Sequence, residues 1–399
     1  MAEQKEQIHT FVSILPVLSV MLLTRLSFGV IAIIFPVYIV ASGTGTGIAL
    51  ALYPIAEAFA APVIGSYSDK GGRKIAFTLG LISLSLLNLI LSTTRNLDIA
   101  SALHALMGVS AAAVTVSTLA LITDYTVKSN RGRWMGGFDF SNLAGYAIGF
   151  LLGAYFAHIY STSLQDSFLV VGMILLVTGV ISFFAVKDVK IERTQKLYLN
   201  PFSGVDKSTL ALLPVWFSLT VVIGVAFFLP KALNSSGVNQ LSSGLLLFGV
   251  VAVIGIGSII WGWVSDHIGR NKTLWIGIVG LILFLIAAMD VVQNPQNLLS
   301  LSRISILVPL ILMLSAVVPS LLAAVGDRAL VMRRGSVMGL YSFLLSIGLA
   351  TGNLLAGVAY DWMQLHGVLL VALVEVLVNI AVALILRLTI AKESREVST

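Results

Sequence analysis

Apolar residues in this chain come in long runs with no period-two alternation and no polar stripe, interrupted by short breaks rich in Gly, Asn, Asp and basic residues. Each run is near the roughly 20 residues that a helix needs to cross about 30 Å of hydrocarbon. A backbone in lipid must satisfy its own hydrogen bonds, and the alternation of barrel strands is missing, so the runs predict helices. The first six spans are expected at 11–40, 46–67, 75–94, 98–123, 134–158 and 167–186. The second six are expected at 208–230, 241–264, 273–292, 301–325, 336–360 and 366–388. The fold class is therefore an all-α membrane protein of twelve transmembrane helices.

Composition agrees with the pattern. Of 399 residues, 58% are hydrophobic and 11% charged, and the mean hydropathy is +1.00, whereas a soluble domain carries about 25% charged residues. The basic residues fall in alternate breaks. Lys70, Arg73 and Lys74 follow span 2; Lys128, Arg131 and Arg133 follow span 4; Lys187 to Lys207 follow span 6. Arg270 and Lys272, Arg328 to Arg334, and Arg387 to Arg395 continue on that side, against Arg95, Lys231 and Arg303 on the other. The excess of Lys and Arg marks cytoplasmic loops, so both termini are expected in the cytoplasm. The formal charge of +6 is then topology and not a footprint for nucleic acid.

The largely polar first ten residues and the length of span 1 do not fit a cleaved signal peptide, so span 1 is expected to stay in the mature protein. With no cysteine, disulfides, thiolate metal sites and cysteine nucleophiles are excluded. No Walker loop, metal-ligand cluster or Ser-His-Asp set can be placed, so neither enzyme chemistry nor a cofactor is expected.

The chain repeats itself. Gly65, Ser68, Asp69, Gly72 and Arg73, followed by Lys74, have counterparts in Gly262, Ser265, Asp266, Gly269 and Arg270 at a constant offset of 197. Asp124, Arg131 and Gly132 recur as Asp327, Arg334 and Gly335 at an offset of 203. Two pseudo-symmetric six-helix bundles are the economical explanation: residues 1–190, a cytoplasmic linker at 191–207 containing Asn200-Pro201 and Ser203-Gly204, and residues 208–399. Parallel six-span repeats with a central site are an established transporter design.

The two Gly-x-x-x-Asp-x-x-Gly-Arg loops resemble the signature of the major facilitator superfamily, and the resemblance covers about residues 11–390. It implies a transporter whose loops latch two bundles together on the cytoplasmic side. Carried onto this sequence, Asp69 would face the start of span 11 and Arg73 would bridge Asp69 and Asp124, with Asp266, Arg270 and Asp327 repeating the set. Gly145, Gly149 and Gly153 in span 5 resemble an antiporter motif of the family's drug/proton group, with Phe150 and Ala154 replacing its proline and last glycine. Gly348, Gly352 and Gly357 repeat the run in span 11, with Asn353 in the proline place. Small residues at four-residue spacing equally serve close helix packing.

Arg25, Glu57, His104 and Glu375 are ionisable residues well inside the apolar runs. Arg25 and Glu57 both lie roughly 20 Å from the cytoplasmic end at about 1.5 Å per residue. A charge at that depth costs on the order of 3 kcal/mol unless it meets a partner or a cavity, so each is expected to pair with the other. That pair is either a structural tie between spans 1 and 2 or a bridge opened by a proton or an anionic substrate. His104 in span 4 takes the place of an arginine in a motif of proton-coupled members, and serves as a proton relay or as a bland buried imidazole. Glu375 in span 12 is a coupling carboxyl or, at the periphery, a hydrogen-bonded structural one. Asp139 is expected near the interface. Aromatic residues of span 7, among them Trp216 and Phe228, line an apolar cavity or face lipid.

The functional expectation is a monomeric secondary transporter in the cytoplasmic membrane, with protons, a small-molecule substrate and the bilayer as its partners. It moves solute by alternating access, proton-coupled and in the direction of exporting amphipathic compounds. Two alternatives stay open: exchange or uptake of a small organic anion held by Arg25, and a lipid-handling or sensory protein on the same fold.

Overall fold

A computed structural model describes residues 2–126, 131–160, 163–187, 210–293, 299–328 and 334–396; within these, side chains of 2–11, 66, 69–71, 131–133, 325–342 and 391–396 are outside the description. The linker expected at 191–207 lies outside the described residues. Every regular element among the described residues is a helix. Those of the first half are α1 (Ala2–Tyr38), α2 (Gly43–Gly71), α3 (Arg73–Leu91), α4 (Leu97–Tyr125), α5 (Arg131–Ile159) and α6 (Gln165–Ala185). The second half has α7 (Leu213–Ser235), α8 (Gln240–Ile268), α9 (Arg270–Val291), α10 (Leu301–Leu314), α11 (Val317–Arg328) and α12 (Arg334–Glu396).

Eleven stretches among the described residues are long and apolar enough to cross a membrane. The last, Phe343–Ile390, is 48 residues long, about twice the length of one crossing. It breaks at Met363 and Gln364, where Gln364 adopts φ 51°. Spans 11 and 12 are thus the two arms of α12, and the sequence gap at 361–365 marks their corner. Span 7 ends at Ser235 instead of residue 230, because Pro230 is accommodated within the helix.

Span 10 departs from expectation in being two helices, α10 and α11, separated at Ser315 and Ala316. Pro319 is the physical cause. It has no N–H to offer the Ser315 carbonyl, and its ring crowds that position. Trp261 Nε1 and Ser315 Oγ both donate to the Leu312 carbonyl, each at 2.6 Å, and so satisfy an acceptor at the break.

Local signals explain the ends. Asn96 caps α4, its Oδ1 accepting from the amides of Asp98 and Ile99 at 2.9 and 3.1 Å. Gly72 and Gly269 precede α3 and α9 with the same positive φ of 97°. That conformation favours glycine, and the structure thereby repeats the 197-residue offset seen in the sequence.

Packing divides the chain into two compact units. Unit 1 comprises Met1–Ala41, Leu52–Leu197 and Asn239–Phe248. In it α1 packs on α4, α5 and α6, and α3 packs on α4 and α6. Unit 2 comprises Ser42–Ala51, Tyr198–Val238 and Gly249–Thr399. Its seams join α7 to α12 and α9 to α10, α11 and α12. The core of unit 2 includes Leu212, Trp216, Leu274, Val317 and Leu321, so Trp216 faces protein here rather than lipid.

Candidate functional site

The site grows from the α1–α5 seam of unit 1. A Cβ on Gly145, Gly149 or Gly153 would overlap the backbone of α1 near Leu22, Leu26 and Val30, so the three glycines let the helices touch main chain to main chain. That approach sets Asn142 and Tyr146 of α5 against Arg25 of α1. Arg25 Nε donates to Asn142 Oδ1 at 2.7 Å, Nη1 to Tyr146 Oη at 3.2 Å and Nη2 to Thr115 Oγ1 of α4 at 3.0 Å. Asn142 is held in turn, its Nδ2 donating to the Phe138 carbonyl at 3.0 Å. The guanidinium also lies 5.4 and 5.6 Å from the ring centres of Phe28 and Tyr146, within cation–π range.

The direct Arg25–Glu57 bridge expected from their shared depth is not formed: no carboxylate of a described residue lies within 4.0 Å of the Arg25 nitrogens. Three neutral acceptors on α4 and α5 hold the guanidinium instead. Glu57, on α2 in the same unit, acts on Arg25 and Tyr53 through space. Three of the five Arg25 N–H donors are used in these bonds, which leaves donors for another acceptor.

His104 extends the same cluster. Its ring stacks on Phe35 at 4.1 Å and 22° and lies 5.1 Å from Tyr53, whose ring meets Phe28 edge-on at 5.5 Å. His104 Nδ1 and Tyr53 Oη are buried with no hydrogen-bond partner among the described residues. Four helices of unit 1 thus assemble Arg25, Phe28, Tyr53, Glu57, His104, Thr115, Asn142 and Tyr146. Thr115, Asn142 and Tyr146 escaped notice in the sequence; the i,i+4 spacing of Asn142 and Tyr146 beside Gly145 was the available signal.

Glu375 is elsewhere, in unit 2. Its Oε2 accepts from Ser218 Oγ of α7 at 2.8 Å and its Oε1 from Asn379 Nδ2 at 2.6 Å. Both carboxyl oxygens are engaged, and the contact ties α7 to the second arm of α12. The neighbouring seam repeats the unit 1 design: a Cβ on Gly348 would strike Thr220, and one on Gly352 the Val221 carbonyl and Gly224.

At the Gly-Arg loops, Arg73 Nη1 lies 2.5 Å from Asp124 Oδ2 and donates to the Ala120 carbonyl at 2.6 Å. Lys74 Nζ stands 4.7 Å from the centre of the Phe183 ring, and Gly65 packs near Val116. Arg270 Nη1 pairs with Asp266 at 2.5 Å and reaches Ser265 Oγ at 3.1 Å, while a Cβ on Gly262 would meet open space. The side chains of Asp69 and Asp327 lie outside the described residues. Asp139 is exposed on α5.

One acidic residue went unread in the sequence. Asp361, at the corner of α12, caps the start of α2: Oδ1 accepts from the Gly43 amide at 2.6 Å, and Oδ2 from the amide and hydroxyl of Thr44 at 2.7 and 2.6 Å. A Cβ on Gly43 or Gly47 would overlap the backbone at Gly357 and Asn353, so this segment of unit 2 is closely seated. In unit 1, Gly244 similarly abuts Phe150 and Ala154. Among the described residues no group of three or more His, Cys, Asp or Glu is placed to hold a metal.

Comparison with known proteins agrees with this architecture. Multidrug resistance protein MdtG of Proteus mirabilis (strain HI4320) is 26% identical over 261 residues, which span 62% of this chain and 63% of that protein. Multidrug resistance protein 1 of Bacillus subtilis (strain 168) is 22% identical over 337 residues, 80% of this chain and 82% of that one. Among solved structures, a bacterial homolog of the human lysosomal transporter Spinster, inward-facing and occupied, superposes with a TM-score of 0.76 at 15% identity, covering 95% of this chain and 97% of that one. The nucleoside transporter NupG superposes with a TM-score of 0.69 at 13% identity, covering 94% and 98%. The profile of the Major Facilitator Superfamily matches residues 17–291 and 212–399, and the chain belongs to that family of membrane transporters.

Proposed function

We propose that this transporter exports an amphipathic small molecule in exchange for protons, with the Arg25–Glu57 cluster as the coupling site. One observation carries the reading: among the described residues a buried guanidinium is held by neutral acceptors, while a carboxyl on the next helix acts on it without contact. Glu57 is then the group whose proton decides the net charge of the cluster. An ionised Glu57 balances Arg25 across space and attracts a cationic or dipolar solute; a proton taken up there removes that attraction and releases the solute. Mutual exclusion of proton and solute at one carboxyl is what exchange requires. The ring path from Phe28 through Tyr53 to His104 supplies an apolar wall with two open polar positions. The multidrug relatives support the amphipathic cargo and the export direction, and the basic loops support cytoplasmic termini in the plasma membrane. The repeated glycine seams support two bundles that rock as bodies, with Arg73–Asp124 bracing α3 against α4 within one of them.

The test is proton movement in liposomes holding the pure protein and a pH dye, recorded while candidate compounds are added. Compound-dependent proton flux that vanishes in Glu57→Gln is the expected result. Compound transport without proton flux overturns the coupling.

A second reading rests on the spare Arg25 donors and on the lack of a contacting carboxylate among the described residues: a small organic anion docks on the guanidinium in a bidentate pair. Uptake of anions that collapses in Arg25→Gln and survives in Glu57→Gln would favour it.

A further inference from the structure

Asp139 lies on α5 in unit 1, one turn from Asn142. Two landmarks give its depth. Thr115 of α4 and Asn142 of α5 both bond the Arg25 guanidinium, so they share a level. From that level Asp124, the partner of Arg73, lies nine residues toward the Gly-Arg loop, about 13 Å along the helix at 1.5 Å per residue. Asp139 lies only three residues toward the loop side, about 4.5 Å. It therefore stands well inside the Arg73–Asp124 pair, on the Trp134–Ile159 crossing. Asp139, Asn142 and Tyr146, spaced i, i+3 and i+7, fall on one face of α5. The carboxyl thus continues the stripe that holds Arg25 toward the loops.

We propose, building on the Arg25–Glu57 cluster as the solute site, that Asp139 is its capture residue on the loop side: the carboxylate takes the positive group of an organic monocation and passes the molecule on to the cluster. Among the described residues the Asp139 carboxylate accepts no hydrogen bond and has no cationic nitrogen within 4.0 Å. A carboxylate at that depth is expensive against hydrocarbon and is tolerated where it meets water or a counter-ion. The side chain is exposed. Its approach from the loop side is open as well, because Gly136, one turn nearer the loop, is exposed and a Cβ there would meet nothing within 4 Å. Phe140 adjoins it at 68% exposure, so a negative charge and an aromatic ring are presented together, a combination that suits an amphipathic cation. The charge count selects the sign of the solute. Glu57 acts on Arg25 through space, and Asp139 adds a negative charge that no described residue neutralises. An organic anion approaching Arg25 by this route would be repelled.

The test is equilibrium binding of tetraphenylphosphonium, and of tetraphenylborate as an anion of the same shape, to the full protein in nanodiscs, with empty nanodiscs subtracted and no gradient applied. The native protein should prefer the cation. Asp139→Asn should weaken cation binding about tenfold, equivalent to about 1.4 kcal/mol, and erase most of the preference, while Asp139→Glu retains it. The chain has no cysteine, so Asp139→Cys is a single-thiol protein. It should react with a water-soluble sulfonate methanethiosulfonate, whereas Val177→Cys, exposed on the apolar α6, should not. The attached sulfonate should restore most of the cation affinity and the trimethylammonium analogue should not, a contrast within one variant that separates charge from folding. Equal or absent binding of the two ions by the native protein, an unchanged cation affinity in Asp139→Asn, an unreactive Asp139→Cys, or rescue by both reagents overturns the proposal. Binding at equilibrium does not depend on proton coupling, so proton flux that persists in Glu57→Gln bears on the coupling reading alone.

Discussion

Arg73 and Asp124 form an ion pair of 2.5 Å with side-chain exposures of 7% and 1%, whereas the matching Arg270 finds its partner in Asp266 one turn earlier, at 31% and 59% exposure. The two loops carry the same residues, yet in one the charge is sealed inside a unit and in the other it stays in contact with solvent. Removing one partner of a buried pair strands the other in a poor dielectric and costs roughly 3–5 kcal/mol, while an exposed pair is worth about 1 kcal/mol or less. Asp124→Asn should therefore lower the thermal midpoint in detergent strongly, and Asp266→Asn should leave it within a few degrees. Equal effects would show that burial does not govern these pairs.

The glycine seams make a second, steric prediction. Gly149→Ala and Gly352→Ala each place a methyl group into facing backbone, and overpacking of this kind costs about 1–3 kcal/mol. Gly249→Ala meets open space and, as a helix-favouring change, should hold or raise stability. Thermal unfolding of the three variants in one detergent checks the order.

At the candidate site, Arg25→Lys keeps the charge but cannot reach Asn142, Tyr146 and Thr115 together, since an ammonium lacks the planar fork of a guanidinium. Solute-driven flux should fall at least about tenfold, equivalent to losing a net hydrogen bond to a charged group. Asn142→Asp places a carboxylate against Arg25 and should lock the guanidinium, with a similar loss of flux and a gain in thermal stability. Unimpaired transport in both variants would remove Arg25 from the mechanism.

Asp361 makes a local prediction. Loss of a helix cap costs roughly 0.5–2 kcal/mol, so Asp361→Ala should speed hydrogen exchange at the amides of Gly43 and Thr44 several-fold, measured by mass spectrometry on peptides covering the start of α2. Asp361→Asn keeps one acceptor oxygen and should fall between the two. Exchange elsewhere in α2 should change little.

The apolar crossings and the repeated Gly-Arg loops were legible because they depend on local composition. Hydrocarbon admits only self-satisfied helices, and a run of about 20 apolar residues needs no knowledge of its neighbours to be recognised. Gly72 and Gly269 belong to the same class, since a positive φ is written in the residue itself. Pro319 was not such a signal by itself, since Pro230 and Pro309 sit within helices and only the packed structure showed which proline stands at a break.

Which partner a buried charge takes was decided in three dimensions. Arg25 and Glu57 share a depth, and depth alone pairs them; the closeness of α1 and α5, granted by Gly145 and Gly149, turned the guanidinium toward Asn142, Tyr146 and Thr115 instead. Glu375 found Ser218 more than 150 positions away, and Asp361 found the start of α2 across more than 300. A helix apolar on every side carries no periodicity that tells which face meets protein, so its polar contacts exist only once the helices are packed.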